Sequence, residues 1–551
     1  MMETIKITVN GKMYKVSKGV TLEEIAPEFQ KNYKYPILIA KVNNQLRELT
    51  NPIEEDCNIE FLDLTSKEGS RTHISGLTYV LVYAIKKLYG KNANAIVLHS
   101  IDKGIYIETN FKLTEEKLSE IKEKMKEIIN NDMPITNVTI DRFEAIKYFE
   151  EIKDTVKAGI MTYNTNNYVT LYRLGNYYNY FYNLMPVSTG KIGAFDLTYI
   201  SNSGFILRFP TVHIPDKIKK YEHHPGMFDV FNDYREWTKI MNIENSVDLN
   251  RIVSKGKIND LIRIDETLQS NKLLTIAREI NERKNKIKIV LLAGPSCSGK
   301  TTSSIKLCTY LQSFGLTPKV LAMDDYFLDK KDCPKDEKGN YDFESLEAMD
   351  INLFNEQVAD LLSGKEITIP TFNFVIGKKE FKNKLQLQTT DILIIEGIHA
   401  LDTKILENIP RGKKYKIYIS ALTELNLDDH NRISTTDHRL LRRIIRDNRT
   451  RGTDVETTIK TWPSVRAGEE KYIFPFQDEA DYTVNSALIY ELGVLKTYVE
   501  PLLYSVPSDS PHYEEAKRLL KFLRIFFPIP SDAIPQDSVL REFIGNGCYH
   551  D

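Results

Sequence analysis

The sequence predicts an α/β domain built on a three-layer parallel sheet, preceded by a small β-grasp domain and an α+β domain. Three observations carry this expectation. Apolar runs at Lys288–Ala293, Val320–Met323 and Ile392–Ile395 alternate with helical segments, as strands buried on both faces of a parallel sheet do. A glycine-rich stretch, Gly294–Thr301, sits between the first run and a helical segment, Thr302–Ser313. At the other end, Thr4–Val9 alternates, Asn10-Gly11 follows, and Met13–Val16 alternates again. Asn-Gly is the strongest short hairpin signal, because a type I′ turn needs positive φ at both central residues.

Composition bounds the rest. The chain has 551 residues, enough for about three or four domains. Hydrophobic residues make up 42% and charged residues 27%, which excludes wholesale disorder. Lys and Arg number 74 against 76 Asp and Glu, a net charge of −2. No global positive field draws the chain onto nucleic acid, although a local basic patch stays open. No apolar stretch reaches the roughly 18 residues of a membrane span, and the N-terminal residues lack a signal-peptide core. Cys57, Cys297, Cys308, Cys333 and Cys548 are scattered without metal-ligand spacing, so reduced thiols in a cytoplasmic protein are expected.

The elements follow in order. After the hairpin, Thr21 caps a helix, with Glu24 completing a capping box. Ile37–Val42 and Ile59–Leu62 read as strands, closing a β-grasp unit over 1–64. Residues 65–232 read as mixed α+β. There Leu77–Leu88 and Glu115–Asn130 are helical, and Ala95–Leu98 and Gly104–Glu108 are strands. Residues 233–284 read as a polar helical connector, 285–505 as the parallel-sheet domain and 506–551 as a helical extension, with Leu519–Phe527 apolar enough to dock or meet a partner.

The glycine-rich stretch, Gly294-Pro295-Ser296-Cys297-Ser298-Gly299-Lys300-Thr301, fits G-x-x-x-x-G-K-[ST], a phosphate-binding P-loop, in the strand–loop–helix context the motif requires. Backbone N–H groups close around a phosphate, and the helix N-terminus adds positive charge. Lys300 supplies a point charge for β- and γ-phosphates, and Thr301 a hydroxyl for Mg²⁺. ATPase, GTPase and small-molecule kinase all use this loop. No Asn-Lys-x-Asp motif follows, and what does follow favours a kinase. Asp324-Asp325 lies just past a strand end, where a carboxylate can take a proton from an attacking hydroxyl, although a plain turn stays open. Asp391–Glu396 is an apolar strand ending in an acid, which resembles a Walker B element, where the acid orients Mg²⁺ through water. Arg439, Arg442 or Arg443, and Arg446 share one helical face, which suits a lid over phosphates. A solvated charged face is the other reading of such a run.

Together these residues resemble the uridine kinase and phosphoribulokinase family of P-loop kinases. The resemblance covers about 287–500. It includes Met323-Asp324-Asp325-Tyr326-Phe327, Tyr341-Asp342-Phe343-Glu344, Ala348-Met349-Asp350 and Ile369-Pro370-Thr371-Phe372-Asn373-Phe374. Ile395-Glu396-Gly397-Ile398 and Arg446-Asp447-x-x-x-Arg451-Gly452 complete it. It implies ATP and Mg²⁺ as cofactors and transfer of the γ-phosphate to a nucleoside 5′-hydroxyl. Gly294, Ser296, Ser298, Gly299, Lys300, Thr301 and Thr302, with Arg439 and Arg446, would hold ATP. Thr301 and Glu396 would serve the metal, partly through water. Asp324 would be the general base, with Lys300 and Arg442 also catalytic. Asp342 would bind ribose, Phe372 and Phe374 would wall the base, and Tyr326, Arg439 and Arg442 would complete the acceptor site. Uridine–cytidine kinases carry a pyrimidine-reading His three residues after the second of those aromatics. Here that position is Gly377, followed by Lys378 and Lys379, so a sugar phosphate or other alcohol stays open as acceptor.

Residues 4–64 resemble the TGS domain of threonyl-tRNA synthetases, and about 70–230 the editing domain beside it. The cue is Ala84-Ile85-Lys86-Lys87-Leu88-Tyr89 at the end of its first helix. The editing His-x-x-x-His falls on Ser75 and Tyr79 here, so loss of editing is expected. An RNA-binding regulator with an ATPase switch is the reading from another class, disfavoured by the net charge. Homo-oligomerisation is open. His223-His224 reads as a stray pair or, less readily, a small-ligand site. The tyrosines of 168–182 lack interleaved cations and read as packing rather than base stacking.

Overall fold

The computed structural model describes residues 3–222, 225–335, 339, 341–373, 376–423 and 425–549. His223, His224 and Phe374 lie outside them.

The first unit is a β-grasp. Strands β1 (Thr4–Val9) and β2 (Lys12–Ser17) pair across Asn10 and Gly11, whose φ values are 51° and 74°. Helix α1 (Leu22–Phe29) starts at a capping box: the Glu24 N–H donates to Thr21 Oγ1 at 3.2 Å, and the Thr21 N–H donates to the Glu24 carboxylate at 2.8 Å. With β3 (Ile39–Val42), β4 (Gln45–Glu48) and β5 (Cys57–Leu62) the sheet order is β2-β1-β5-β3-β4. The edge strand β4 has one apolar residue, Leu46, and therefore gives no alternation signal.

The second unit opens with helix α2 (Lys67–Tyr89). It starts at Lys67 rather than Leu77, because Ser66 Oγ accepts the Gly69 N–H at 3.0 Å and caps polar early turns. There follow β6 (Ala95–Ile101), β7 (Gly104–Thr109), α3 (Glu115–Asn130), β8 (Ile135–Asp141), α4 (Arg142–Glu151) and α5 (Thr155–Tyr163). Next come β9 (Tyr168–Leu174), β10 (Tyr177–Asn179), β11 (Asp196–Tyr199) and β12 (Gly204–Arg208). The sheets β11-β12-β7-β6 and β10-β9-β8 share one core with α2. Tyr79 is fully buried, its hydroxyl 2.7 Å from the Tyr172 carbonyl and 2.8 Å from that of Tyr177.

Helices α6 (Pro225–Met241), α7 (Ser246–Ser254) and α8 (Ile258–Glu282) follow. The polar connector expected here is not a free linker. Leu273, Ile276, Ala277 and Ile280 of α8 bury against Val290, Leu307 and Leu311 of the next domain. Their spacing of three and four residues is one apolar stripe in a charged helix.

The P-loop domain contains β13 (Ile289–Ala293), α9 (Lys300–Ser313), β14 (Thr317–Ala322), α10 (Ile351–Leu362), β15 (Ile367–Asn373) and β16 (Lys378–Leu385). It continues with β17 (Asp391–Glu396), β18 (Lys414–Ser420), α11 (Thr435–Arg451), α12 (Val455–Tyr472) and β19 (Tyr482–Asn485). Its sheet runs β14-β17-β13-β18-β19, parallel throughout. Helices α8 and α9 cover one face and α10 the other, giving three layers. Helices α13 (Glu491–Leu503), α14 (Tyr513–Leu523) and α15 (Arg541–Ile544) share a core with α11 and α12, so the C-terminal extension docks on this domain.

The loop 426–431 of this domain reaches into the second unit. Lys157 of α5 is completely buried there, 3.0 Å from Asp154 and 3.4 Å from Asp428. Burial alone would lower its pKa, but Asp154, Asp428 and Asp429 outweigh it and keep the ammonium charged. Among the described residues no helix is long and apolar enough to cross a membrane.

Candidate active site

The P-loop leaves β13 and enters α9, so its amides face the ligand edge of the sheet. Gly294 is required: a Cβ there would lie 2.0 Å from the Ile419 carbonyl oxygen. Gly299 turns the chain with φ +81°. Ser298 is completely buried, and its hydroxyl has no partner among the described residues. Lys300 Nζ rests on the Pro295 carbonyl at 3.3 Å.

Thr301 Oγ1 donates to Glu396 Oε1 at 3.2 Å. Glu396 ends β17, and burial followed by the neighbouring Asp324 pushes its carboxyl up to about 7. Asp324 lies in the turn after β14, so these two acids and Lys300 form one charged cluster at the strand ends. Glu344 joins it: burial and then Glu469 push its carboxyl up to about 7, while Arg443 and Lys300 oppose the shift. Thr301 and Glu396 are hard oxygen donors, and Glu396 is disfavoured as a bare anion. That donor set fits Mg²⁺.

The adjacent aspartates divide their work. Asp325 accepts the Phe372 N–H at 3.1 Å and ties the β15–β16 hairpin to the site. Asp342 accepts the Tyr472 hydroxyl at 3.1 Å. Phe372 is buried against Phe327, ring centroids 5.7 Å apart. Tyr326, expected at the acceptor site, instead faces the core: it is completely buried, packed on Phe354, with its hydroxyl donating to Gln357 at 2.6 Å. Lys379, one of the two lysines after Gly377 that left an anionic acceptor open, donates to Asp350 at 2.8 Å.

The arginine face also needs correction. Arg439, Arg442, Arg443 and Arg446 do turn toward the P-loop, but not as an open lid. Arg439 is buried, donates to the Ser296 carbonyl at 2.8 and 3.0 Å, and pairs with buried Glu469. Arg442 is buried too, held by Glu491 at 2.6 Å, the Ser486 carbonyl at 3.0 Å and the Cys297 carbonyl at 3.2 Å. Both brace the loop from beneath, so neither is free to meet phosphate or acceptor as expected. Arg443 reaches the Ser296 hydroxyl at 3.2 Å, and Arg446 pairs with Asp447 at 2.7 Å.

Four acids were missed from sequence: Glu344, Glu469, Glu491 and Glu542. Glu344 stands inside the Tyr341-Asp342-Phe343-Glu344 motif, which was its signal. The others lie far along the chain from their partners and carry no local signal. Glu542, on α15, accepts from Thr302 Oγ1 at 2.7 Å and from the Thr302 N–H at 3.3 Å.

The three-layer parallel sheet and this loop define a P-loop nucleotide-binding domain. Residues 289–489 match the Phosphoribulokinase / Uridine kinase family, so the chain carries a domain of that kinase family. The N-terminal region is homologous to threonyl-tRNA synthetases. Threonine--tRNA ligase of Aquifex aeolicus is 33% identical over 207 residues, covering 37% of this chain and 32% of the relative. Threonine--tRNA ligase 1 of Bacillus subtilis is 30% identical with the same coverage. The chain thus spans about a third of the length of these curated relatives. A solved structure described as a possible uridine kinase from Bacillus stearothermophilus aligns with 37% of this chain and 98% of its own, at 16% identity and a TM-score of 0.25.

Proposed function

We propose that the chain is an ATP-dependent kinase that moves the γ-phosphoryl group to the 5′-hydroxyl of a nucleoside. The observation that carries this reading is Asp324, placed at the end of β14 within the charge cluster of Lys300 and Glu396. A carboxylate there accepts the proton of an attacking hydroxyl. The hydroxyl oxygen bonds to the γ-phosphorus, and the bond to the leaving nucleoside diphosphate breaks. Lys300 and the P-loop amides hold the phosphate charge as it spreads. Thr301 and Glu396 would hold Mg²⁺, which when bound would supply positive charge to neutralise the phosphates. Asp342, beside Tyr472, suits ribose hydroxyls, and Phe372 suits one wall of the base.

The pairing of Lys379 with Asp350 supports an uncharged acceptor over a sugar phosphate. A panel of ribo- and deoxyribonucleosides and sugar phosphates, with labelled ATP and Lys300→Ala as the blank, tests the reading. A 5′-phosphorylated nucleoside made only by the wild type is expected. Transfer only to a sugar phosphate overturns it.

A further inference from the structure

A cavity of about 730 Å³ opens where the β-grasp unit, the second unit and the C-terminal helices meet. None of its lining residues belongs to the P-loop or to the Asp324–Glu396 cluster. Lys517, Lys521 and Arg524 of the α14 segment line it at i, i+4 and i+7, so they form one stripe. Its other walls include Tyr182, Tyr504 and Tyr513, with Leu503 and Leu520 between them.

The charge balance of this junction is uneven. Glu515 is shared by Lys67 at 2.8 Å, Arg71 at 3.0 Å and Arg518 at 2.8 Å, and Asp437 is taken by Arg518 at 2.7 Å. Lys517 meets Glu514 at 3.3 Å. Lys521 donates to the Tyr182 carbonyl at 2.7 Å and lies 5.1 Å from the centre of the Tyr182 ring. Among the described residues neither Lys521 nor Arg524 forms an ion pair. Glu68 and Glu514 are the acids on the cavity wall, against five Lys and Arg residues. Desolvation, opposed by Glu48 and aided by the adjacent Lys517, holds the Lys521 ammonium below its usual pKa. Lys517, Lys521 and Arg524 are exposed along the cleft wall, and a stripe of cations lining a cleft with fewer acids attracts an anion. Tyrosine rings beside them suit a flat, apolar body, and the volume is that of a small-molecule site.

We propose that this cleft is a second nucleotide-binding site, separate from the P-loop, in which Lys517, Lys521 and Arg524 hold the phosphates and the tyrosines hold the base. The ligand is a free nucleotide. A smaller chamber of about 280 Å³ shares Arg71, Tyr182, Asn183 and Arg518 with the cleft. Through Asp437 it reaches the first turn of α11, the helix that braces the P-loop.

The test is photocrosslinking of the full chain to 8-azidoadenosine and 4-thiouridine triphosphates, with the labelled peptides mapped. Labelled peptides containing Tyr182, Tyr504 or Tyr513 are expected, in addition to any around the P-loop. Lys521→Gln with Arg524→Gln should cut labelling of those peptides roughly tenfold and leave P-loop labelling intact. Tyr504→Ala, at an exposed rim position, should weaken it without touching the core. Labelling confined to the P-loop overturns the proposal, as does cleft labelling that ignores all three substitutions. So does labelling by a thiouridine-ended oligoribonucleotide alone. P-loop labelling and phosphoryl transfer are read separately, so failure of the kinase reading is not confused with failure of this one.

Discussion

The carboxylate of Glu542 sits on the hydroxyl and backbone N–H of Thr302, at 2.7 and 3.3 Å. Thr302 lies in the first turn of α9, where the helix dipole and the first-turn amides favour negative charge. Val539 packs over Gly299 from the same segment: a Cβ on Gly299 would be 2.3 Å from Val539 Cγ2. An acid from the C-terminal segment therefore occupies donors that the proposed nucleotide would need. Glu542→Gln should tighten binding of a non-hydrolysable ATP analogue about three- to tenfold, by removing one opposing charge. Calorimetric titration checks this, and unchanged or weaker binding contradicts it.

Arg442 and Glu491 form a fully buried pair under the loop. Breaking such a pair strands a charge and costs about 3–5 kcal/mol. Arg442→Met should lose that much in urea unfolding, with Glu491→Gln in the same chain restoring part of it. An open-lid arginine would instead lose turnover at full stability.

Asp265 of α8 is completely buried, accepts the Ile489 N–H at 2.7 Å, and burial pushes its carboxyl up to about 8. A raised acid binds its proton more tightly in the folded chain. Stability is thus greatest below the ordinary carboxyl range and falls as pH rises toward 8. Asp265→Asn removes the titrating group. The variant should gain on the wild type by up to about 1.4 kcal/mol per pH unit over that window. Parallel stability curves from pH 5 to pH 8 would refute the assignment.

Lys300→Ala and Asp324→Asn should each slow transfer by roughly 10²–10⁴-fold. Their melting temperatures should stay close to the wild type, since neither side chain supports a core. Circular dichroism and a coupled assay on the same preparations separate lost chemistry from lost structure.

Local sequence made the loop and the strand ends legible. Gly294–Thr301 is contiguous, and Asp324 and Glu396 each sit at the end of an apolar run. The packing of the arginines was not legible, because Glu469 and Glu491 lie on other elements and only the folded chain brings them beneath Ser296 and Cys297. Strand β18 is buried on both faces despite Lys414 and Lys416. Lys414 is satisfied by the Leu406 carbonyl at 2.6 Å and Lys416 by Glu479 at 2.9 Å. Tyr326 lies beside two aspartates in a motif yet points into the core, which a motif cannot tell. The stripe of α8 was hidden by its charges.

The central claim is that Asp324 and the P-loop act together on an acceptor hydroxyl. The most direct measurement is ADP formation by the wild type and Asp324→Asn, with and without the phosphorylated nucleoside's parent. The account predicts ADP formation that depends on the acceptor, matches the 5′-phosphate one for one, and collapses in Asp324→Asn. ATP hydrolysis at the same rate with or without acceptor, and unchanged in the variant, would contradict it.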